Sequence, residues 1–454
     1  MNSLGPLSVV HVVGVGGAGM SGVARLLVEM GCVVSGSDVN DSAELDALRR
    51  VGVRIELGHA GALSDSATAI LWSPAVSLDN AELVRARARG ARLVTRAELL
   101  AELGSLQPVI GLTGTHGKTT ATSMMVHVLA AARRDDSRLL GAPVPGVGAN
   151  GHWGSGSLIL EVDESFGTFA LLAPYAIGLL NVEADHLDHY GSLDALETAF
   201  VELLERTTGP VVGWGGDEGA RRVMAKVRRD VVVVSNAATG EWRVSDVRIE
   251  RRGASFTLDG PDGPLRIDIG VTGTHNVANA AVVAVVALQI GVPSDALCAG
   301  LAAFHGAPRR FQFRGSWRGV DVYEDYAHLP GEISATLGAT RAIGYERVTA
   351  VFQPHRVTRT VRLAPSFAPA FEDANQIVVT DIYGAGEPNP TGATGQIVAD
   401  ELRVRFPGRV VEYAATFEEV VSSLESLHDQ SDVIVLLGAG DVARIAEMLG
   451  VVLS

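Results

Sequence analysis

The 454-residue sequence has little cysteine and no long apolar run. Cysteine occurs only at Cys32 and Cys298, which excludes a disulfide framework and argues against a cysteine metal site. No stretch approaches the ~18 to 20 uninterrupted apolar residues of a membrane helix, and no basic region followed by an apolar run opens the sequence. We therefore expect a cytoplasmic protein without membrane insertion.

Basic residues are outnumbered too. The 37 lysines and arginines face 52 aspartates and glutamates, giving a formal net charge of −15. Because nucleic-acid proteins usually present a basic face, we expect no nucleic-acid partner. Lysine occurs only at Lys118 and Lys226. A lysine inside a glycine-rich loop of such a chain indicates a role for a mobile point charge, which arginine does not supply.

The order of apolar and glycine-rich segments predicts an α/β protein. Strand-like SVVHVVGV, helix-like SGVARLLVEMG, and the following CVVSGSD and VRIEL segments predict a doubly wound parallel sheet. A second alternating system begins at PVIGLTGTHGKTT, residues 240–272 indicate an antiparallel β element, and a third α/β unit follows Arg310. We expect three domains: Rossmann-like 1–106, P-loop-type central 107–312 with the small antiparallel element, and Rossmann-like 313–454.

The first glycine motif spans Gly14 to Gly19 and fits G-x-G-x-x-G, with Asp38 about 20 residues further on. Glycines allow an anion to approach the backbone, and the following helix N-terminus offers unpaired amides. A purely structural turn and a nicotinamide or flavin site are both alternatives. The motif favours another nucleotide ligand, such as the pyrophosphate of a UDP-sugar.

The second glycine motif runs from Thr113 to Thr120 and ends in G-K-T-T, although Leu112 stands where a phosphate loop usually has its first glycine. Its amides can hold a β-phosphate, Lys118 can reach the γ-phosphate, and the Thr119 hydroxyl can bind Mg²⁺. A strand before the loop and a helix after it favour this function over a bland surface loop.

Acidic and imidazole groups follow two later apolar strands. Glu161 ends the strand of LILEVDES, and Glu183, Asp185 and His186 follow the strand of AIGLLNVEADHLDHY. The carboxyl ends of parallel strands share one crevice, so these groups are expected beside the phosphate loop. Oxygen and imidazole ligands there suit Mg²⁺ or Mn²⁺. For His189 we expect an ordinary solvated or core histidine.

Further motifs follow in the C-terminal half. Asn276 is interpreted either as a helix cap or as a nucleotide contact, and Arg310 with its neighbour as a phosphate-neutralising pair or a solvated hinge. The segment FQPHRVTRT places Arg356 and Arg359 at a strand end, where they can grip a carboxylate bidentately, with a basic helix start as the alternative.

Taken together, GVGGAGMSG, TGTHGKTT, EVDES, NVEADHLDHY, GTHN, RRF, DYAH, FQPHR and LLGAGD resemble the Mur ligase family, in its order and over nearly the whole chain. The resemblance is strongest to the branch that adds L-alanine to UDP-N-acetylmuramate. It implies ATP and Mg²⁺ (or Mn²⁺) as cofactors, an acyl-phosphate mechanism, and a monomer or weak homodimer. Siblings of that branch use a carbamylated lysine after the DHxDxY segment, and no lysine lies between Lys118 and Lys226.

The resemblance also implies roles for individual residues. Lys118, Glu161 and His186 are expected to be catalytic, with Thr119, Glu161 and His186 as metal ligands. The expected ATP-binding residues are Gly114, Thr115, His116, Gly117, Lys118, Thr119, Thr120, His275, Asn276, Asn279, Arg310 and Asp325. The expected UDP-sugar-binding residues are Gly14, Gly16, Gly17, Ala18, Gly19, Met20, Ser21, Asp38 and Ser73. The expected amino-acid-binding residues are Tyr326, His328, His355, Arg356 and Arg359.

Three positions depart from the branch's pattern: Phe166 for an acidic residue, Leu329 for a histidine and Val357 for a tyrosine. The chemistry is therefore expected to be intact, with the identity of the amino acid less firmly implied. The nearest rival function is a paralogue with the same chemistry and another acceptor or amino acid, in peptide recycling or secondary metabolism. A nicotinamide oxidoreductase leaves TGTHGKTT without a role, and a non-catalytic regulator would require a damaged lysine or metal position.

Overall fold

The computed structural model describes residues 8–59, 63–73, 76–185, 187–237 and 241–451. The fold divides into two compact units. The first comprises Met1–Arg248 and Ala254–Ala307, and the second comprises Ile249–Gly253 and Pro308–Ser454.

The first unit begins with a parallel N-terminal sheet in the order β3-β2-β1-β4-β5. Its strands are β1 (Val9–Val13), β2 (Val33–Asp38), β3 (Arg54–Leu57), β4 (Ala69–Trp72) and β5 (Arg92–Thr95), and its helices are α1 (Ala18–Glu29), α2 (Ala43–Arg50), α3 (Ala81–Ala88) and α4 (Arg96–Leu106). The Ser42, Asn80 and Thr95 side chains cap α2, α3 and α4 by accepting backbone amides. All five strands point their carboxyl ends to one edge, where ligands of doubly wound sheets bind.

The central sheet has the order β15-β14-β13-β12-β11-β10-β6-β9-β7-β8. Its strands are β6 (Val109–Thr113), β7 (Ser137–Leu139), β8 (Gly151–His152), β9 (Leu158–Val162), β10 (Ala176–Leu179), β11 (Val211–Trp214), β12 (Val232–Ser235), β13 (Trp242–Glu250), β14 (Gly253–Gly260) and β15 (Gly263–Ile269). Its helices are α5 (Lys118–Ala131), α6 (Leu187–Tyr190), α7 (Leu193–Arg206), α8 (Glu218–Lys226), α9 (Thr274–Gln289) and α10 (Ser294–Ala302).

Helices α5 and α9 are the buried helices of the central sheet. Residues 121–129 of α5 and 279–287 of α9 are buried without a break. A helix that is apolar on all sides belongs inside a protein, and these two contact each other and the sheet. The N-termini of both helices carry predicted nucleotide-binding residues, which are thereby fixed to a rigid core.

The second unit contains a C-terminal sheet in the order β16-β17-β21-β18-β19-β20. Its strands are β16 (Gln312–Trp317), β17 (Val320–Asp325), β18 (Val348–Phe352), β19 (Gln376–Val379), β20 (Val410–Tyr413) and β21 (Val433–Leu437). Its helices are α11 (Pro330–Ala342), α12 (Val357–Phe367), α13 (Gln396–Arg405), α14 (Phe417–Leu427) and α15 (Arg444–Met448). Apolar clusters cover both faces of the sheet, and only β16 runs antiparallel to its neighbour within the described sheet.

The α/β class with three sheets and the antiparallel element at the edge of the central sheet are confirmed. Strands β14 and β15 form the predicted antiparallel hairpin, in which Gly260 pairs with Gly263 and the two turn residues are Pro261 and Asp262. Eight strands were not predicted: β4, β5, β7, β8, β11, β12, β16 and β20. The domain boundaries at 106/107 and 312/313 stay predictions. The connection between β13 and β14, Ile249–Gly253, groups with the second unit.

Candidate active site

The phosphate loop connects β6 to α5. Gly114 has φ +143° and Gly117, the N-cap of α5, has φ +83°, both in the region that favours glycine. A Cβ at Gly114 would lie 2.8 Å from Asn181 O, and one at Gly117 would lie 2.8 Å from Asn279 Oδ1. The loop therefore needs glycine at both positions for its conformation and for its close packing.

Asn181, which the sequence did not single out, holds this loop in place. Its Oδ1 accepts from His116 N at 2.7 Å, its Nδ2 donates to His116 O at 2.9 Å, and its backbone oxygen accepts from Thr115 N at 3.1 Å. Glu183 N donates to Thr115 Oγ1 at 2.9 Å. The only sequence signal was the position of Asn181 just after an apolar strand, in the segment whose acidic residues drew attention.

Lys118 is held by a buried carboxylate. Its Nζ donates to Glu164 Oε2 at 2.8 Å and Oε1 at 3.0 Å, and to the oxygens of Gly114 and Thr115 at 2.8 and 3.1 Å. The Glu164 side chain is 0% exposed, and Tyr190 Oη donates to its backbone oxygen at 2.6 Å. Burial raises the pKa of Glu164 above its ordinary range although Lys118 opposes the shift. Glu164 lies in the LILEVDES segment, but the sequence did not indicate its contact with Lys118.

Thr119 and Glu161 form the second contact between the loop and the end of β9. Thr119 Oγ1 donates to Glu161 Oε1 at 2.7 Å, and Gly141 N donates to Glu161 Oε2 at 3.0 Å. A hydroxyl and a carboxylate oxygen side by side fit a hard cation such as Mg²⁺. His186, the third predicted ligand, lies outside the described residues. Within those residues, no group of three or more His, Cys, Asp or Glu could hold a metal ion.

The GTHN segment lies at the same loop. Asn279, in the first turns of α9, packs against Gly117, and its Nδ2 donates to Asn276 Oδ1 at 3.5 Å. Asn276 Nδ2 donates to Thr272 O at 2.8 Å, which ties the first turn of α9 to the segment before it. The N-cap of α9 is Gly273, so the interpretation of Asn276 as a helix cap is wrong. His275 is exposed beside them, and Thr120 continues α5 from the loop. The base-contact roles of His275, Asn276 and Asn279 stay predictions.

The first glycine motif connects β1 to α1. Gly14 has φ +74°, and the amides of Gly14 and Val15 donate to Ser37 O. Gly16 N donates to Asp38 Oδ2 at 2.9 Å, so the loop and the end of β2 are joined. Gly17 is the N-cap of α1, which begins at Ala18.

Of the remaining predicted UDP-sugar-binding residues, some are buried in the protein core and one lies at the carboxyl edge of the N-terminal sheet. Met20 and Ser21 are buried, and Ser21 Oγ accepts from Asn150 Nδ2 at 3.1 Å, which joins α1 to the segment before β8. Ser73 directly follows β4 at the carboxyl edge of the sheet. The ligand contacts of these residues stay predictions.

In the second unit, the two adjacent arginines have different environments. Arg309 Nη2 donates to Gly438 O and Gly440 O at 2.8 and 2.9 Å, and its Nε lies 3.0 Å from Glu324 Oε1. Arg310 is exposed. Arg309 is therefore built into the fold, and Arg310 is the member that a ligand can reach.

Asp325 is a buried carboxylate at the end of β17. Its Oδ2 accepts from Phe311 N and its Oδ1 from Ala327 N, both at 2.7 Å. Burial raises the pKa of Asp325, and the two amides and Arg310 oppose the shift. These bonds show that Asp325 fixes the segment around Arg310, and its predicted contact with a ribose stays a prediction.

The predicted amino-acid residues lie together in the second unit. The rings of Tyr326 and His328 are 5.3 Å apart, those of His328 and His355 are 5.6 Å apart, and Arg359 Nη1 lies 3.4 Å from His355 Nδ1. Burial, then the neighbouring His328 and arginines, lowers the pKa of His355 to about 4. His355 also stacks on Tyr383 at 5.7 Å, a neighbour that the sequence analysis missed.

Arg356 adopts a strained backbone conformation at the start of α12. Its φ of +68° is uncommon for a residue other than glycine, and such strain occurs often at functional sites. Its N–H donates to Tyr383 O at 2.8 Å, while Glu387 accepts from Thr358 N at 3.0 Å and lies 3.8 Å from Arg356 Nη1. The half-exposed guanidinium is thus held at the helix start.

The departures from the family pattern have different surroundings. Leu329 is partly buried, and its amide donates to Glu332 Oε2 at 3.0 Å at the start of α11. Val357 is buried as the first residue of α12. The side chain of Phe166 lies outside the described part of the chain.

Three α/β sheets with a lysine-bearing phosphate loop define a nucleotide-binding protein. The comparisons with known proteins agree. Three family models match: "Mur ligase family, catalytic domain" over residues 9–107, "Mur ligase middle domain" over 112–287, and "Mur ligase, glutamate ligase domain" over 309–440. The chain belongs to the Mur ligase family.

Curated relatives match over nearly their full length. UDP-N-acetylmuramate–L-alanine ligase of Saccharopolyspora erythraea is 39% identical, over 96% of this chain and 91% of the relative. The enzyme of the same name from Thermobifida fusca is 38% identical, over 97% and 96%. Among solved structures, UDP-N-acetylmuramate-alanine ligase of Thermotoga maritima matches with a TM-score of 0.80 and 26% identity, over 97% of this chain and 98% of that one.

A murein peptide ligase from Psychrobacter arcticus matches with a TM-score of 0.70 and 24% identity, covering 98% of this chain and 100% of that one, and supports the fold alone. Across the described residues, no helix is long and apolar enough to cross a membrane.

Proposed function

We propose that this chain joins L-alanine to the lactyl carboxylate of UDP-N-acetylmuramate at the expense of ATP, which becomes ADP and phosphate. This reaction begins the peptide stem of peptidoglycan precursors. The observation that carries the proposal is the phosphate loop, where the Thr119 hydroxyl contacts Glu161 near the end of β9 and the Lys118 ammonium contacts Glu164, two residues beyond that strand. Such a site suits phosphoryl transfer, and the full-length relatives support the substrates.

The reaction has two steps. The lactyl carboxylate attacks the γ-phosphorus of ATP, so that an acyl phosphate forms and ADP leaves. The alanine amine then attacks the acyl carbon, gives up a proton, and phosphate departs from the tetrahedral intermediate. In the first step the Lys118 ammonium stabilises charge on the transferring oxygens, which is the main task of a protein in phosphoryl transfer.

ATP and Mg²⁺ are the proposed cofactors, with Mn²⁺ as the alternative. Thr119 and Glu161 would hold the cation, with His186 as the further predicted ligand. When bound, it would neutralise charge on the phosphate oxygens. Asn276 and Asn279, which pack at the loop, are the proposed nucleotide contacts within the first unit.

The other substrates are assigned by chemistry. The Gly14–Gly19 loop and the N-terminus of α1 offer amides for the diphosphate of the UDP-sugar. In the second unit, Arg356 and Arg359 offer guanidinium groups for the alanine carboxylate. We further propose a cytoplasmic protein, because both nucleotide substrates are cytoplasmic metabolites. A monomer or weak homodimer is proposed from the family resemblance alone.

The test is a phosphate-release assay with ATP and Mg²⁺ over a matrix of UDP-sugars and amino acids, with the products identified by mass spectrometry. We expect the highest kcat/KM for UDP-N-acetylmuramate with L-alanine. The matrix includes the tripeptide L-alanyl-γ-D-glutamyl-meso-diaminopimelate, because a preference for it would assign the chain to peptide recycling and overturn the proposal.

A further inference from the structure

The central sheet borders a small cavity away from the phosphate loop. Its volume is about 80 Å³, and its lining comes from the C-terminal half of α5, from β7, β8 and β9, and from the segments that join them. On α5 the lining begins at Val126, 8 residues beyond Lys118, and extends to Ala130, 12 residues beyond it. At 1.5 Å per residue these positions lie about 12 to 18 Å along the helix from Lys118. The cavity is therefore separate from the site for ATP.

The volume of the cavity suits a very small molecule. About 10 to 15 Å³ of such space holds one water, so roughly five to eight waters would fill this cavity. A compound with five or six non-hydrogen atoms occupies a similar space. Nucleotides and sugars are too large for the cavity, and it is therefore not a further site for ATP or for a nucleotide-sugar.

The lining of the cavity has an apolar side and a charged side. Aliphatic side chains, among them Leu129, Val147 and Ile159, form the apolar side. Two arginines, two aspartates and His152 form the charged side. Ligand sites in proteins are typically apolar with a few convergent polar groups. The cavity therefore suits a ligand that combines a short apolar group with a charged head.

Several of the charged groups compensate each other. Arg134 Nη2 donates to Asp136 Oδ1 at 2.9 Å, and Arg134 Nε lies 2.8 Å from Asp136 Oδ2. His152 lies between two further carboxylates, with Nδ1 2.8 Å from Glu29 Oε2 and Nε2 3.2 Å from Asp135 Oδ1. The Asp135 side chain is 62% exposed, so its oxygens remain accessible to the cationic group of a ligand.

Arg138 is the cation of the cavity that the fold engages least. In the described part of the chain its one hydrogen bond runs from Nε to Ala149 O at 2.9 Å. A Cβ at Gly148, whose φ is +149°, would lie 2.7 Å from Arg138 Nη2, so the guanidinium packs directly on the glycine. Burial lowers the pKa of Arg138, and the charges of Glu29 and Asp135 oppose this shift. The remaining N–H groups can bind a carboxylate bidentately.

We propose that this cavity binds a free α-amino acid with a short apolar side chain. The carboxylate of the ligand pairs with the Arg138 guanidinium, its ammonium pairs with Asp135, and its side chain contacts the aliphatic lining residues. A carboxylate has about four acceptor positions, so Asp135 can accept from an ammonium in addition to its bonds from His152 and Ser155. L-Alanine, with six non-hydrogen atoms, fits these dimensions. The inference does not depend on the proposed function, whose amino-acid-binding residues lie in the second unit.

The experiment is a titration of the full chain with L-alanine, followed by NMR of labelled isoleucine δ1 methyl groups. The methyl group of Ile159, which lines the cavity, should shift and reach saturation at millimolar L-alanine. The shift should persist in Arg356→Ala, which removes a predicted carboxylate partner from the second unit. Arg138→Ala should weaken the binding about tenfold or more, as expected for the loss of a charge-assisted pair, and Arg138→Lys should recover part of the affinity. Arg133→Ala removes an exposed arginine from the same segment and is the matched control, with binding unchanged.

Related compounds test the class of ligand. Propionate lacks the ammonium and should bind about three- to fivefold more weakly than L-alanine, because a pair with an exposed carboxylate contributes modestly. Asp135→Asn should weaken L-alanine binding by a similar factor and leave propionate binding unchanged. L-Phenylalanine, which is too large for the cavity, should cause no shift at Ile159. Propionate that binds as tightly as L-alanine would overturn the assignment to an amino acid. No saturable shift at Ile159, or equal L-alanine binding in Arg138→Ala and wild type, would overturn the inference and leave the proposed function untouched.

Discussion

Glu164 is the group whose removal is most informative about the phosphate loop. Replacing it by glutamine keeps the shape and removes the charge beside Lys118 Nζ, 2.8 Å away. Lys118 keeps the oxygens of Gly114 and Thr115 as acceptors. In the Glu164→Gln variant, the loop should therefore stay intact while the Lys118 ammonium loses its closest negative charge.

The magnitude follows from the burial of the pair. At 2.8 Å and an effective dielectric constant of about 20, the attraction is roughly 6 kcal/mol, and the desolvation of both ions offsets much of it. Breaking a buried pair usually costs ~3 to 5 kcal/mol, and the remaining carbonyl bonds reduce this to ~2 to 3 kcal/mol here. Bound nucleotide supplies a new anionic partner for Lys118, so the nucleotide-bound form should lose less stability than the free form.

If Glu164→Gln destabilises the nucleotide-bound form less than the free form, linkage requires that the variant bind nucleotide more tightly than wild type does. If half of the loss is recovered, ~1.4 kcal/mol, the Kd for ADP falls about tenfold. The assay is urea unfolding with and without ADP, together with calorimetric ADP titration, and kcat should fall because Lys118 is less firmly aimed. Asp163→Asn is the control: its Oδ1 lies 3.7 Å from Lys118 Nζ, so its effects should be smaller. Equal loss of stability with and without ADP, and no gain in ADP affinity, would refute this reasoning.

Four further predictions follow from the site and its surroundings. Lys118→Ala should lower ADP formation more than a hundredfold with an unchanged circular dichroism spectrum, and turnover above about a tenth of wild type would contradict this. Arg356→Ala should severely reduce kcat/KM for L-alanine. The wild type, with apolar Leu329 and Val357, should also turn over glycine or L-serine measurably. A charged or aromatic amino acid as the preferred substrate would show that the pocket is misplaced. The His355 imidazole should titrate in NMR with a midpoint near its pKa of about 4, and a midpoint near 6.5 would contradict this. Its contribution to stability should be complete above the ordinary histidine pKa and should be lost as pH falls toward 4. Burial raises the pKa of Glu82, but hydrogen bonds from His11, Ser37 and His59 outweigh this and lower the pKa below the ordinary value. The advantage of wild type over Glu82→Gln in thermal unfolding should therefore be present at neutral pH and decline as pH falls below the ordinary glutamate pKa of about 4.3; a constant difference would refute the pairing.

The sequence predicted the parts of the fold that local pattern controls. The strand-glycine-helix units around Gly14 and Gly114 were evident because β-branched runs, glycines and amphipathic helices have distinct periods. The short strands β4, β5, β7, β8, β11, β12 and β20 were missed because two to four residues carry no measurable period. Strand β16 was missed because its residues, QFRGSW, do not alternate regularly and pair through a bulge.

The candidate site was predictable to the level of motifs and not of partners. Glycine-rich loops and carboxylates at strand ends can be recognised from sequence patterns, so Lys118 and Glu161 were predicted. Asn181 and Tyr383 act through loop contacts that depend on tertiary structure, and no spacing in the sequence encodes them. The sequence also did not indicate which of the two adjacent arginines the fold uses. The structure shows that Arg309 contacts Glu324 and that Arg310 is exposed.

The acyl-phosphate route is the central claim, and one isotope measurement tests it most directly. UDP-N-acetylmuramate labelled with ¹⁸O in the lactyl carboxylate is incubated with the enzyme, ATP, Mg²⁺ and L-alanine, and the released phosphate is analysed by mass spectrometry. Because the carboxylate oxygen becomes the bridging oxygen of the acyl phosphate, the account predicts one ¹⁸O atom in each released phosphate. Unlabelled phosphate accompanying alanine ligation would contradict it.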